Sequence, residues 1–363
     1  MNRPRQPLVP LVRGAFVVAL LLGLPSPAAL AEATIEAAIT TEDATEQPVD
    51  GFPTLVRRPV SFWSDGTRLA GDLFYPKSAA AAETGDDGEK LPAIVLCHGW
   101  GGTKQHLNQQ IAPQFAAAGY VVLAFDYRGW GESDSRLIVE GPMPNPDDDG
   151  FVTVKARAVR EIVDPLDQQE DIDAAITFVE GEQIVDPERI GIWGSSFGGG
   201  HVVWRAGIDE RVKAVVAQVG PMDQRSGLVE SYAERGETLD ALHREKIERV
   251  RGDRPPVPLD ADKPEGLRGT PYYERFVDFV ALEQVEGITA PVLFIDAENE
   301  HYFDIEEHAG RAHQMLKERG IPTEYHVFHD IGHYDIYRGD ALARAMKLEI
   351  EWFDRHLGGK DEG

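Results

Sequence analysis

The chain has 363 residues, 42% of them hydrophobic, enough to bury one large core. It carries 62 acidic against 36 basic residues, a formal net charge of -26; such a surface repels phosphate backbones and anionic membranes and sets nucleic-acid binding aside. A single cysteine, Cys97, excludes an internal disulfide and, at the end of the apolar run Ala93 to Cys97, reads as a buried inert thiol.

The chain opens with Arg3, Arg5 and Arg13, an apolar run from Ala15 to Leu24, and then Pro25, Pro27 and Ala29-Leu30-Ala31. This order of basic, apolar and small-residue segments predicts a signal peptide over 1–31, cleaved after Ala31, and a secreted or periplasmic protein with no stable membrane insertion after cleavage. Residues 32–53 are polar, acidic and alanine-rich and read as a flexible leader. Val56 to Trp63 and Thr67 to Phe74 are strand-like runs around Ser64-Asp65-Gly66, a hairpin signal. The low-complexity stretch from Lys77 to Lys90 reads as an exposed loop.

From Ala93 onward the pattern changes to continuous apolar runs, the mark of strands covered on both faces. Ala93 to Cys97, Tyr120 to Phe125, Arg189 to Trp193, Val212 to Val219, Pro291 to Ile295 and Thr323 to Phe328 are such runs. Helical periodicity falls between and after them at Gln105 to Ala118, Leu166 to Val179, Ile305 to Gly320 and Ala341 to His356. Alternating strands and helices predict an α/β fold, a mostly parallel central sheet with helices on both faces. The stretch 221–289 breaks the rhythm. It is charged, largely helical in pattern and interrupted by Pro255-Pro256-Val257-Pro258, and reads as a helical cap inserted between a first core part, 54–220, and a second, 290–358.

One segment stands out chemically. Gly194-Ser195-Ser196-Phe197-Gly198 matches G-x-S-x-G directly after a strand and before a helix, which places Ser196, not Ser195, at the nucleophile position. A serine on such a turn has its hydroxyl pushed clear of the sheet, and the helix N-terminus supplies N–H groups for a developing oxyanion. No cysteine pair, H-E-x-x-H or carboxylate cage points to a metal, and no cofactor is expected. His201 and His106 read as structural or surface residues. His326 and His329 differ by an odd number on a strand and face opposite ways.

Taken together, His98-Gly99-Trp100-Gly101-Gly102, Asp126 to Ser133, Gly194 to Gly199, Pro291 to Glu300 and Ile331-Gly332-His333 resemble the α/β-hydrolase family, in particular its dienelactone-hydrolase-like and secreted esterase/peptidase-like branches. The resemblance runs from about Thr54 to Leu357. It implies a triad in the chain order Ser, acid, His, with Ser196 as nucleophile and His333 as general base. It places the acid at Glu300, where the family usually has aspartate; Asp223 and Asp304 are the alternatives. The oxyanion hole would be the backbone N–H groups of Trp100 and Phe197. The resemblance further implies a secreted serine esterase working on a small-molecule acyl ester. A dipeptidyl-peptidase-like serine peptidase on a peptide-like substrate, or an acyltransferase, is the alternative on the same triad.

Overall fold

The computed structural model describes residues 45–79, 90–259, 261, 263–264 and 266–358. The expected signal peptide, most of the leader and most of the loop after Lys77 lie outside these residues. The end of the leader needs correction. Gln47–Val49 is a strand, β1, paired antiparallel with β2 (Phe52–Ser64), and the Glu46 carboxylate accepts a hydrogen bond from the Tyr75 hydroxyl at 2.8 Å. The folded part therefore begins before residue 54. A three-residue edge strand needs only backbone pairing on one side, so its polar sequence carries no periodic signal.

The hairpin forms as the sequence predicts. Strand β2 runs antiparallel to β3 (Thr67–Pro76), with Ser64 opposite Thr67 and only Asp65 and Gly66 between them, both at positive φ (44° and 74°). Two such residues make the turn whose twist matches the strands. Next comes β4 (Leu91–Cys97). The single helix expected over 105–118 is instead two, α1 (Lys104–Gln110) and α2 (Ala112–Ala117), because Pro113 lies in the first turn of the second and has no N–H to continue the first. Strand β5 (Val121–Phe125) follows. Then β6 (Leu137–Val139) and β7 (Ala156–Ala158) form a small ribbon with the proline- and acid-rich loop 141–150 at its exposed tip.

After β8 (Ile162–Val163), helix α3 (Pro165–Glu180) starts on an Asp164 cap whose carboxylate accepts the Leu166 and Asp167 N–H groups, with proline in its first turn. Strand β9 (Val185–Ser195), helix α4 (Phe197–Ala206) and strand β10 (Val212–Gln218) form the centre. The segment 221–289 contributes α5 (Gln224–Glu234), α6 (Asp240–Arg251) and a two-residue strand β11 (Thr270–Pro271) parallel to β8. Strand β12 (Val292–Asn299) leads into a π turn over Glu306–Gly310 and α7 (Arg311–Glu318), where one continuous α-helix was expected. Strand β13 (Thr323–Gly332) and α8 (Gly339–Leu357) close the chain.

The sheet has nine strands in the order β1-β2-β3-β5-β4-β9-β10-β12-β13. Every neighbouring pair from β5 to β13 is parallel, and the pairs from β1 to β5 are antiparallel. Alternate residues of each apolar run enter opposite layers. Ile94, Leu96, Trp193, Val216 and Ile295 pack with Phe115, Trp352 and Phe353. Val95, Cys97, Ile192, Val215 and Phe294 pack with Ile172, Ile176 and Val202. Covering both faces in this way is what makes the strands uniformly apolar, and each large side chain so buried contributes roughly 1.5–3 kcal/mol.

Candidate active site

Ser196 lies between the last residue of β9 and the first of α4, with φ 56° and ψ -131°. A non-glycine residue held there is strained by order 1–3 kcal/mol. The flanking glycines explain how the turn closes. A Cβ on Gly194 would lie 2.1 Å from the Gly198 carbonyl oxygen, and one on Gly198 would lie 2.2 Å from that of Cys97. The Ser196 N–H donates to the Gln218 carbonyl on β10 at 2.9 Å, which ties the turn to the neighbouring strand.

The partners arrive from the far side of β10. Strands β12 and β13 run in register to Ala297 and Phe328. A bulge on β13, with Asp330 at φ 61°, then lets Asn299 pair with Gly332. The next residue on each strand is Glu300 and His333. His333 Nε2 is 3.0 Å from Ser196 Oγ, and its Nδ1 is 2.5 Å from Glu300 Oε2. Only 3% of the His333 side chain and 1% of the Glu300 side chain are exposed. The second Glu300 oxygen accepts the backbone N–H groups of His301 and Tyr302 at 2.8 and 3.0 Å. Burial pushes the Glu300 carboxyl up, but the His333 imidazole and these N–H donors outweigh it and hold the group below the usual carboxylate range. The extra methylene of glutamate is thus accommodated by a carboxylate anchored to its own following backbone.

The two alternative acids are engaged elsewhere. Asp223 caps α5, accepting the Ser226 N–H at 3.0 Å and the Ser226 hydroxyl at 2.6 Å. Asp304 accepts the N–H groups of Glu306 and Glu307 at the π turn. Neither is bonded to His333.

Strand β4 pairs Cys97 with Gly194, so the segment after Cys97 runs beside the serine turn. Trp100 there donates its indole N–H to the Arg268 carbonyl at 3.1 Å, and its ring meets Phe197 and Phe276, each at 5.6 Å. The inserted segment is thereby fastened to the strand-end loop. Phe197 opens α4, where the first N–H groups of a helix have no acceptor one turn back. A cavity of about 790 Å³ joins these parts; Ser196, His333, Trp100, Phe197, Phe303 and Leu267 are among its walls.

Four other histidines have structural partners, and His106 lines the same cavity. The buried His201 bonds Gln168 and Gln169 at 2.8 Å each, and burial drives its imidazole down to about 3, so it stays neutral. His98 is buried against Tyr127 with Nδ1 near the Gly99 carbonyl. His326 and His329 bond different carboxylates, Glu324 and Glu298. Burial pushes the Cys97 thiol up to about 12, as an inert thiol requires. Asp126 and Arg128 brace loops: Asp126 accepts from the Lys104 and Glu132 N–H groups, and Arg128 pairs with the buried Asp171. Among the described residues no cluster of three or more His, Cys, Asp or Glu side chains is placed to hold a metal ion, and no helix is long and apolar enough to cross a membrane.

Several contributors carry no sequence signal. Ser195 Oγ lies 2.8 Å from both the Tyr337 hydroxyl and the Gln218 amide nitrogen, tying the serine turn to the loop that bears His333. Val219, directly after β10, has φ 41°, a second strained residue beside the site. His308 Nδ1 accepts the Met222 and Asp223 N–H groups at 2.7 and 3.2 Å, pinning the start of the inserted segment.

The model of the Alpha/beta hydrolase family matches residues 94–345. The chain belongs to the alpha/beta hydrolase family. Among its relatives this hydrolase is 28% identical over 326 residues to the quorum-quenching protein AidA of Acinetobacter baumannii, covering 82% of this chain and 94% of that one. It is 33% identical over 191 residues to the thiohydrolase apmlB of Arthrinium phaeospermum, covering 53% and 51%. The crystal structure of protein PA2218 from Pseudomonas aeruginosa shares its fold, with a TM-score of 0.62 at 23% identity over 87% of this chain and 98% of that one. A small-molecule substrate fits an alpha/beta hydrolase whose serine turn opens on a cavity of this size.

Proposed function

We propose that this hydrolase cleaves a carboxylic ester through an acyl-enzyme on Ser196. The observation that carries the reading is the unbroken hydrogen-bonded chain from Ser196 Oγ through the His333 ring to Glu300. His333 Nε2 takes the Ser196 proton as Oγ attacks the ester carbonyl, and Glu300 holds the ring in the tautomer that leaves Nε2 free to do so. The carbonyl oxygen becomes an oxyanion, received by the N–H groups of Trp100 and Phe197. Collapse breaks the bond to the leaving oxygen, which takes the proton from His333. Water then repeats the sequence on the acyl-enzyme, releasing the acid and restoring Ser196.

A thioester would follow the same steps with sulfur leaving, and a relative named as a thiohydrolase supports including it. We take segment 1–31 as a signal peptide and propose a secreted or periplasmic enzyme. The test compares carboxylester turnover by wild type and Ser196→Ala. Loss of about 10³-fold or more supports the reading, and unchanged turnover rejects it.

A further inference from the structure

We propose that the paired hydroxyls of Tyr302 and Tyr334 form the subsite for the alcohol side of the ester, selecting a neutral alcohol that carries a second hydroxyl. The inference rests on the acyl-enzyme reading and extends it to the group that leaves and the group that can return.

Tyr302 follows Glu300 by two residues, and Tyr334 directly follows His333. Both line the cavity that holds Ser196. Each ring meets the His333 imidazole edge-on with centroids 5.0 Å apart, at interplanar angles of 83° and 79°. The two hydroxyls are bonded to each other at 2.7 Å, yet the residues are 49% and 50% exposed. Two polar groups are thus held together at a wet mouth, beside the ring that must hand its proton to the leaving oxygen. That proton transfer fixes where the leaving group sits: on the Nε2 side of His333, in the cavity that both tyrosines line.

The pair has hydrogen-bonding capacity to spare. Of the two O–H groups one is engaged within the pair, which leaves one donor and free lone pairs on both oxygens. The bond to Tyr334, with partial burial, pushes the Tyr302 phenol up to about 12, so it remains a neutral donor at ordinary pH. Arg338, which lines the same cavity, is already paired with Asp335 at 2.7 Å, so the tyrosine pair meets the alcohol with neutral groups. A hydroxyl on the second carbon from the ester oxygen satisfies the pair, whereas a plain alkyl alcohol offers it nothing.

The same place receives any acceptor that attacks the acyl-enzyme. A diol or triol seated there gives its proton through His333 to Ser196 as its oxygen bonds the acyl carbon and the Ser196 Oγ–acyl bond breaks. The product is a new ester in place of the acid.

The experiment compares the ethyl and 2-hydroxyethyl esters of one acid as substrates of the full-length protein, and ethanol with glycerol as acceptors. Wild type, Tyr302→Phe, Tyr334→Phe and the double variant are assayed, each also labelled with a fluorophosphonate at Ser196 to count competent sites. The expected result is a wild-type kcat/KM about tenfold higher for the hydroxyethyl ester, near the upper worth of one hydrogen bond, carried chiefly by KM. That ratio falls toward one in the double variant, and glycerol captures more acyl group than ethanol only where both hydroxyls are present. Equal wild-type kcat/KM values for the two esters, or a preference that survives in a labelled double variant, overturns the proposal. If the double variant does not label, the wild-type ester ratio and acceptor preference decide. If wild type neither labels nor turns over either ester, it is the acyl-enzyme reading that has failed.

Discussion

Gly99 faces Ser196 so closely that a Cβ in its place would lie 2.8 Å from the serine Cβ and 3.3 Å from its Oγ. Only a hydrogen fits there, so the loop after β4 and the serine turn define each other's position. Gly99→Ala must push Ser196 away from His333 or shift the N–H of Trp100. A displacement near 1 Å is enough for a loss of about 10²-fold in kcat/KM. Steady-state kinetics beside thermal melting checks this, with activity falling far more than stability.

Gly194→Ala has a different outcome. Its Cβ would lie 2.1 Å from the Gly198 carbonyl oxygen, a contact that neither strand nor helix can relieve. This variant is expected to lose the folded state itself, by about 4 kcal/mol or more. Soluble yield and denaturant midpoint measure it.

Glu300→Gln keeps the shape of the group that holds His333 but removes its charge and favours the wrong tautomer. The expected fall in kcat is about 10²–10⁴-fold with the fold intact by circular dichroism. The pH dependence follows from the direction of the shift. The folded carboxyl lies below its ordinary value of 4.5, so its contribution to stability is present above that value and is lost as pH falls through the lower folded value. The difference in denaturation midpoint between wild type and Glu300→Gln should therefore shrink on acidification below about pH 4.5.

Asp296 behaves oppositely. It is buried in β12, where its Oδ2 accepts the Tyr325 hydroxyl at 3.1 Å and its Oδ1 has no hydrogen-bond partner among the described residues. Burial first, and then the charges of Glu300 and Glu306, push it up to about 8 against the Tyr325 bond. The unfolded carboxyl loses its proton near pH 3.8, so the folded state binds the extra proton between that value and about 8, and stability falls as pH rises across this window. Asp296→Asn should flatten that slope and raise stability at pH 9 by roughly 1–3 kcal/mol, with little change near pH 4. Chemical denaturation at the two pH values tests it.

These residues also mark how far the sequence reaches. The apolar runs locate β9, β12 and β13 but stop at Trp193, Ile295 and Phe328, short of the strand ends at Ser195, Asn299 and Gly332, because the last residues of each strand are mostly polar or small. The resemblance puts the acid at Glu300, but the sequence alone leaves Asp223 and Asp304 open as alternatives. All three are acids following apolar segments, and what separates them is the bulge opposite Ala297 and the helix caps that engage the other two. The split at Pro113 was written in the chain, but the apolar periodicity around it outweighed one breaker. The link from Ser195 to Tyr337 and the Tyr302–Tyr334 pair join residues far apart in sequence and have no local pattern.

The most direct measurement of the central claim is fluorophosphonate labelling of the intact protein followed by peptide mapping. The account predicts one adduct per chain on Ser196, absent from Ser196→Ala and greatly slowed in His333→Ala. An adduct on Ser195 instead, or a wild-type protein that remains unlabelled while folded, contradicts it.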